Sequence, residues 1–337
     1  MDRTATLGRP TLKTLAAETG LAVATVSRAL NDAPDIGEAT KVRVRDAARR
    51  LGYSPNRAAR RLRTGRTQVL SMLLMPDLDV MSSASRLIHA LGSGLRGTGY
   101  HLIVTPAYPD ENSIEQLRYL VETQSADAVI LNRIEPEDAR IAFLTERGFP
   151  FATHGRTEMG LDHPFYDYDN ERFAELAVAA LARRGCRRLL LIAPPMGQSY
   201  ARHMLAGADA EAKRQGIALE RLGTATIDAP AERLEAAVTE RLAQGGVDGV
   251  LTASASAAIA VTASAEALGL RLGHGIEVAA KEATPFLRRF RPEIIAVREN
   301  TSRAGAFLAE AALAAVRQPD QPPMQFLEVP EPGDVSD

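Results

Sequence analysis

The chain has 337 residues, 45% hydrophobic and 24% charged, a globular composition that excludes a disordered or fibrous protein. Its formal charge of −2 conceals an asymmetry: residues 1–66 hold 14 Lys and Arg against 6 Asp and Glu, the remainder 26 against 36. A basic head on an acidic body suits a polyanion partner for the head alone. The one cysteine, Cys186, excludes a disulfide framework and a multi-cysteine zinc site, and fits a reducing compartment.

Met1 to Pro10 is polar, so no secretory signal is read there. The longest uncharged stretch, Gly249 to Ala265, is studded with Ser and Thr and falls short of the ~20 apolar residues of a membrane span. The expectation is a soluble, cytoplasmic protein.

In chain order, Thr11–Thr19 reads as an amphipathic helix with Leu12, Leu15 and Ala16 on one side, ended by Gly20, whose permissive backbone suits a tight turn. Val23–Leu30 resumes helical spacing through Val26, Ala29 and Leu30, and Asn31-Asp32-Ala33-Pro34 breaks it. Glu38–Leu51 is a third helix with Val42, Val44, Ala48 and Leu51 as its buried side, closed by Gly52. Three short helices with a glycine turn after the first make a helix-turn-helix pattern. Ser54 and Pro55 then suit the cap and first position of a helix through Arg63. Two turns are too short to be stable alone in water. Thr64–Thr67 reads as a linker.

From Val69 the pattern changes. Val69–Leu74, His101–Thr105, Ala128–Leu131 and Phe151–Thr153 look like buried parallel strands, with helices near Ser82–Arg96, Ser113–Thr123 and Glu137–Arg147 between them. After Asn170 the alternation repeats: helix to Arg183, strand Arg188–Ala193, helices Tyr200–Arg214 and Ala231–Ala243, strand Gly249–Thr252, helix Ser254–Leu268, strand Ile276–Ala279. Two doubly wound α/β lobes follow from it.

Leu12-Lys-Thr-Leu-Ala-Ala-Glu-Thr-Gly20, Val23-Ala-Thr-Val-Ser-Arg-Ala-Leu-Asn31, Leu51-Gly-Tyr-Ser-Pro-Asn56 and Leu62-Arg-Thr-Gly-Arg66 resemble the LacI/GalR family of transcriptional regulators. The body, Val69 to about Pro330, resembles that family's effector domain, which has the fold of periplasmic sugar-binding proteins. Phe149–Thr157 with Ser199–His203 is similar to the branch holding α-glucoside operon repressors. The organisation expected is a helix-turn-helix domain over 1–54, a hinge helix and linker over 55–66, and a two-lobed effector-binding and dimerisation domain over 67–330. Lobe 1 would take about 67–167 plus 298–324, lobe 2 about 168–297 plus 325–330, and 331–337 would be a tail.

In such a module the second helix lies in the major groove and its first residues reach base edges. Val23 and Ala24 could read a thymine methyl, Arg28 could grip guanine O6 and N7, and Thr25, Ser27 and Asn31 would bind phosphates. Family members usually carry Ser at the position of Ala22, so that cap and phosphate contact are expected to be absent. The resemblance extends the DNA-contacting set to Thr11, Tyr53, Asn56, Arg57, Ala59, Arg60 and Leu62. It implies that two hinge helices pair in the minor groove, each inserting Leu62 as a wedge, with Arg57, Arg60, Arg61 and Arg63 supplying charge. One such unit reads a short half-site, so a homodimer on a near-palindromic operator is expected, alone or doubled into a tetramer.

Sugars need hydrogen-bonding groups and apolar ring surface in a cleft, which in doubly wound lobes lies beyond the carboxyl ends of the strands. The candidates are Asn132, His154, Arg156, Tyr200, His203, Ser254 and Glu282. Asn132 and Glu282 fall where relatives commonly carry Asn and an acidic residue. Met204 stands where an Arg is expected and Ser254-Ala255 where an Asn-Asp pair is, so Arg156 or Arg202 would compensate. The run Tyr166-Asp-Tyr-Asp-Asn170 either lines the cleft or crosses between lobes.

Gly92-Ser-Gly94-Leu-Arg-Gly97 matches a dinucleotide fingerprint but lies at the end of a predicted helix rather than opening one after a strand, so the glycines are read as ending that helix. The six His residues show no metal-ligand spacing, and no nucleophile or acid/base pairing is visible. No catalytic residue, metal or cofactor is expected. The function that follows is a repressor of a carbohydrate-utilisation operon, released from its operator by a small sugar of the glucoside class. The alternatives are a co-repressed or activating regulator of the same family, a solute-binding transport component, disfavoured by the basic head, and an enzyme on an α/β scaffold.

Overall fold

The computed structural model describes residues 10–53, 61, 64–74, 83–108, 112–283 and 285–336, and the chain divides into two compact units, 1–67 and 68–337. The predicted hinge contacts Asn56, Arg57, Ala59, Arg60 and Leu62 lie outside the described residues.

The first unit holds α1 (Leu12–Thr19), α2 (Val23–Leu30) and α3 (Glu38–Leu51). Thr11 caps α1 through a reciprocal pair of bonds with Thr14, and Gly20 ends it in the left-handed region at φ 65°. Leu15, Val26, Ala29, Val44, Ala47 and Ala48 form its small core. Val42, expected in that core, is 47% exposed, while its neighbour Lys41 is buried. The Lys41 stem covers apolar surface while its ammonium reaches Asp32 at 2.9 Å, so the helix turns its lysine rather than its valine inward.

The second unit is two doubly wound lobes. The first sheet orders β2 (His101–Pro106), β1 (Val69–Leu74), β3 (Ala128–Leu131), β4 (Phe151–His154), β5 (Phe165–Tyr168) and β11 (Gln325–Glu328), all neighbours parallel. Helices α4 (Ser83–Gly94), α5 (Ser113–Glu122), α6 (Ala139–Glu146) and α12 (Thr301–Arg317) accompany it. The second sheet orders β7 (Ala218–Arg221), β6 (Arg188–Ile192), β8 (Gly249–Thr252), β9 (Glu277–Glu282), β10 (Ile295–Arg298) and β12 (Val335–Ser336). Its pairs are parallel except the last, which is antiparallel. Its helices are α7 (Asn170–Arg183), α8 (Ser199–Gln215), α9 (Ala231–Ala243), α10 (Ala255–Ala267) and α11 (Leu287–Phe290). β3 is buried throughout and β1 in all but its last residue, Leu74, as expected of strands covered by helices on both faces.

Residues 325–330, expected in lobe 2, instead contribute β11 to the first sheet, with Gln325 opposite Phe165 and Glu328 opposite Tyr168. Aromatic packing places them there: Phe326 stacks on Tyr166 with centroids 5.4 Å apart, and the Tyr166 hydroxyl donates to Glu328 Oε2 at 2.5 Å. The expected tail then adds β12 to the second sheet. The chain thus crosses between the lobes three times, after β5, after β10 and after β11. Of the glycines of the fingerprint-like run, Gly94 serves packing, while Gly92 and Gly97 have open space where a Cβ would stand. Gly94 is the last residue of α4, and a Cβ there would stand 2.9 Å from Ala309 Cβ of α12.

Candidate functional site

In the first unit, α2 turns Val26 and Ala29 into the core and leaves Val23, Ala24 and Arg28 uncovered. Ala22 offers its helix no side-chain cap, as expected, so the first amides of α2 are open to an external acceptor. Thr25 and Ser27 are half-buried beside them, and Asn31 Nδ2 donates to the Ser27 carbonyl at 2.5 Å. Arg28 forms an ion pair with Asp35 of the following loop. The side chain of Thr11 is engaged in its helix cap. Tyr53 is half-buried, its amide donating to the Ala48 carbonyl at 2.9 Å, and burial raises its hydroxyl pKa. The exposed face of α2 therefore offers two apolar residues and one guanidinium.

In the second unit, a cavity opens where the strands of both lobes end. From the first lobe come Asn132 and Arg133 after β3, His154 and Arg156 at the end of β4, and Asp167 and Tyr168 of β5. From the second come Ser199 and Tyr200 opening α8, Asp228, Ser254 after β8, and Lys281 of β9, with Asn170 and Glu299 at two of the crossings. A doubly wound sheet builds its site at this edge because the loops there diverge at the switch point of strand order.

The polar groups are closely connected. Lys281 Nζ lies 3.1 Å from Glu299 Oε2 and donates to Asn170 Oδ1 at 3.0 Å. The same ammonium lies 5.1 Å from the Tyr168 ring centroid and 5.6 Å from that of Tyr200. His154 Nε2 is 3.8 Å from Glu299 Oε1. Burial lowers the His154 pKa, as does Lys281, against the opposing pull of Glu299. Burial raises the Glu299 carboxyl, but Lys281 and His154 outweigh it and the net shift is downward. Arg133 bridges the lobes to Asp228 with contacts of 2.5 and 3.3 Å, its own backbone held at φ 53°. Arg140 fixes that loop by donating to the Asn132 and Arg133 carbonyls at 3.2 and 3.0 Å while paired to buried Asp138.

Asp167 faces the cavity with a strongly raised carboxyl pKa. Burial pushes it up to about 7, although Arg156 Nε stands 3.2 Å from its Oδ2. Because its folded pKa lies above the unfolded one, its contribution to stability is fully present below about pH 4 and is lost as pH rises through about 7. Asp167→Asn is therefore expected to melt higher than the wild type at pH 8 and to flatten the decline between pH 5 and 8, by at most ~4 kcal/mol. Parallel pH profiles of the two proteins by thermal melting would overturn this assignment.

Asn132, His154, Arg156, Tyr200 and Ser254 of the predicted set are brought together here. Glu282, Arg202 and His203 are not. Glu282 is buried and accepts the amides of Phe286 and Leu287 at 3.2 and 3.1 Å, so it shapes the loop after β9. Its neighbour Lys281 reaches the cavity instead. Arg202 and His203 turn away along α8 toward Glu158, at 3.5 and 4.0 Å. Sequence reasoning missed Lys281, Glu299, Ser199, Arg133 and Asp228, and left Asp167 and Asn170 undecided. The usable signal was Lys281-Glu282 directly after an apolar run, which marks a strand extending to the cleft. Among the described residues no group of His, Cys, Asp and Glu is arranged to hold a metal ion, and no helix is long and apolar enough to cross a membrane.

Residues 11–56 match the family model "Bacterial regulatory proteins, lacI family", and residues 178–333 match "Periplasmic binding protein-like domain". Over 94% of its length the chain is 30% identical to the HTH-type transcriptional regulator AglR of Rhizobium meliloti (strain 1021), covering 90% of that protein. The chain belongs to the LacI family. This LacI-family chain is also 34% identical to the HTH-type transcriptional regulator RafR of Escherichia coli over 56% of each chain. Among solved structures it is similar to the lac repressor dimer bound to operator and the anti-inducer ONPF, with TM-score 0.82, 21% identity and 98% of both chains covered. It is also similar to a transcriptional regulator CelR–cellobiose complex, with TM-score 0.69, 23% identity, and 96% and 98% of the two chains covered. A LacI-family chain with a helix-turn-helix head is a DNA-binding transcriptional regulator, not an enzyme.

Proposed function

We propose that this regulator is a repressor of a carbohydrate-utilisation operon, acting as a homodimer on a near-palindromic operator in the cytoplasm, and that a small sugar of the glucoside class releases it. The observation that carries the ligand reading is a cleft built for a polyhydroxylated molecule. Asn132 Oδ1 and Ser199 Oγ are buried there without a hydrogen-bond partner among the described residues, and Tyr168 and Tyr200 also line it. Buried polar atoms left without partners are costly, so a ligand bearing hydroxyls binds by satisfying them. Two structures of similar fold support the reading through their own ligands: one holds cellobiose, a glucose disaccharide, and the other is a dimer on its operator.

A ligand bound between two lobes favours the lobe arrangement that contacts it on both sides, and such coupling is typically worth ~1–3 kcal/mol. The experiment is selection of a binding sequence from random duplexes with the purified full chain, followed by fluorescence anisotropy on that duplex with and without maltose and cellobiose. The expected result is a near-palindromic consensus and release on adding one of the sugars. Tighter DNA binding on adding sugar would overturn the repressor polarity. A chain that selects no sequence would overturn the DNA-binding assignment of the α2 face.

A further inference from the structure

The charges facing the cleft cancel. Among the described residues lining it, Lys281 faces Glu299 at 3.1 Å, Arg156 faces Asp167 at 3.2 Å, and Arg133 faces Asp228 at 2.5 Å. His154 is held toward its neutral form by burial. Above the Asp167 pKa of about 7, where all three carboxylates are ionised, the lining carries three positive and three negative groups and has no guanidinium or ammonium to spare. An anionic ligand entering it would bring an uncompensated charge into a poorly hydrated space, which is costly unless a counter-charge awaits it. A neutral polyol incurs no such cost. It can meet Asn132 Oδ1, Ser199 Oγ and the remaining hydrogen of Lys281, whose ammonium has three donors and spends two on Glu299 and Asn170.

Lys281 and Glu299 form the most buried of the three pairs, with side chains 12% and 7% exposed. Glu299 also sits where the chain crosses from β10 back to the first lobe, so its two oxygens face Lys281 of the second lobe and His154 of the first. It is thus the counter-charge on which the neutrality of the site depends. We propose that Glu299 is a specificity-determining residue: by holding a carboxylate against Lys281 it makes the cleft take uncharged carbohydrates and refuse anionic ones. This rests on the carbohydrate reading of the cleft given above, and adds to it the charge class of the ligand.

Titration calorimetry on the full chain at about pH 8.5, where Asp167 is ionised, tests it with six probes: maltose, cellobiose and glucose, and their anionic counterparts maltobionate, cellobionate and glucose 6-phosphate. The wild type is expected to bind a neutral member at least about tenfold more tightly than its anionic counterpart. Glu299→Gln, which leaves the Lys281 ammonium without its carboxylate, is expected to narrow or reverse that preference by about tenfold or more. The double variant K281Q/E299Q is expected to restore it. The two acid probes and the phosphate probe separate a sugar acid from a sugar phosphate as the anion admitted. Equal wild-type affinity for neutral and anionic partners would overturn the charge rule alone, and that comparison needs no variant to fold. An unchanged preference in a folded Glu299→Gln would do the same. No binding of any probe to the wild type would overturn the carbohydrate reading and the charge rule together.

Discussion

Arg28→Ala is expected to weaken binding to the preferred duplex by 30-fold or more while leaving binding to unrelated DNA far less affected. A guanidinium that grips guanine O6 and N7 is worth roughly 1–3 kcal/mol of discrimination against the wrong base. The proposed dimer makes that contact twice, so roughly 2–6 kcal/mol of specific affinity is at stake, about tenfold for every 1.4 kcal/mol. The loss should fall on one base position in each half-site, because Val23 and Ala24 offer no hydrogen bond that could replace it. Asp35→Asn is expected to move affinity the other way. The Asp35 carboxylate holds the Arg28 guanidinium in the free head, and both side chains are half-exposed, where an ion pair is worth only ~0.2–1 kcal/mol. Freeing Arg28 should therefore tighten binding by no more than about fivefold per half-site, or about 30-fold for the dimer. Anisotropy titrations on matched and base-substituted duplexes distinguish these outcomes. Equal loss on every sequence would make Arg28 a phosphate contact.

Gly207→Ala is expected to destabilise the body severely and to weaken ligand binding with it. A Cβ at this position of α8 would stand 2.1 Å from the Glu171 carbonyl oxygen of α7, so backbone must move. Overpacking against backbone costs ~1–3 kcal/mol and sometimes more, and for a unit of this size each kcal/mol lowers Tm by ~2–4 °C. The displacement also reaches the cleft. α7 begins at Asn170 and α8 at Ser199 and Tyr200, all three of which line it. Gly92→Ala is the control. No atom lies within 4 Å of a Cβ there, and alanine is the better helix former by up to ~1 kcal/mol. Equal melting temperatures for the two variants would show that α7 and α8 are not held at this separation.

The helices of the head and the central strands of both lobes were legible because their signals are local. Gly20 and Gly52 end α1 and α3 in the left-handed region the turns require, while β3 is an unbroken apolar run and β1 and β8 are apolar but for Ser71 and the end residues Gly249 and Thr252. What escaped was the periphery. β7 reads Ala-Leu-Glu-Arg and β11 Gln-Phe-Leu-Glu, polar sequences that become strands only because a partner strand is already in place. β5, Phe165–Tyr168, overlaps the acidic run Tyr166–Asn170 that sequence alone could assign to neither cleft nor crossing, and the run does both. In the cleft, selecting Glu282 over Lys281 was an error of one residue, and in a strand one residue exchanges the two faces. Arg133 and Asp228 were beyond reach for a different reason. They are 95 residues apart and meet only because two separate sheets present their carboxyl edges to each other.

Cys186 lies in the core of the second lobe, 2% exposed, its thiol pushed up to about 12 by burial, with Asp248 and Glu277 adding to the effect. It is the only thiol in the sequence, and as a buried thiol it reacts slowly at neutral pH. A cysteine engineered onto the surface of either lobe would therefore be the fast-reacting position for a fluorophore or spin label. Two such positions, one on each side of the cleft, would report as an optical or magnetic ruler on whether the lobes move when a sugar is added, against the native background.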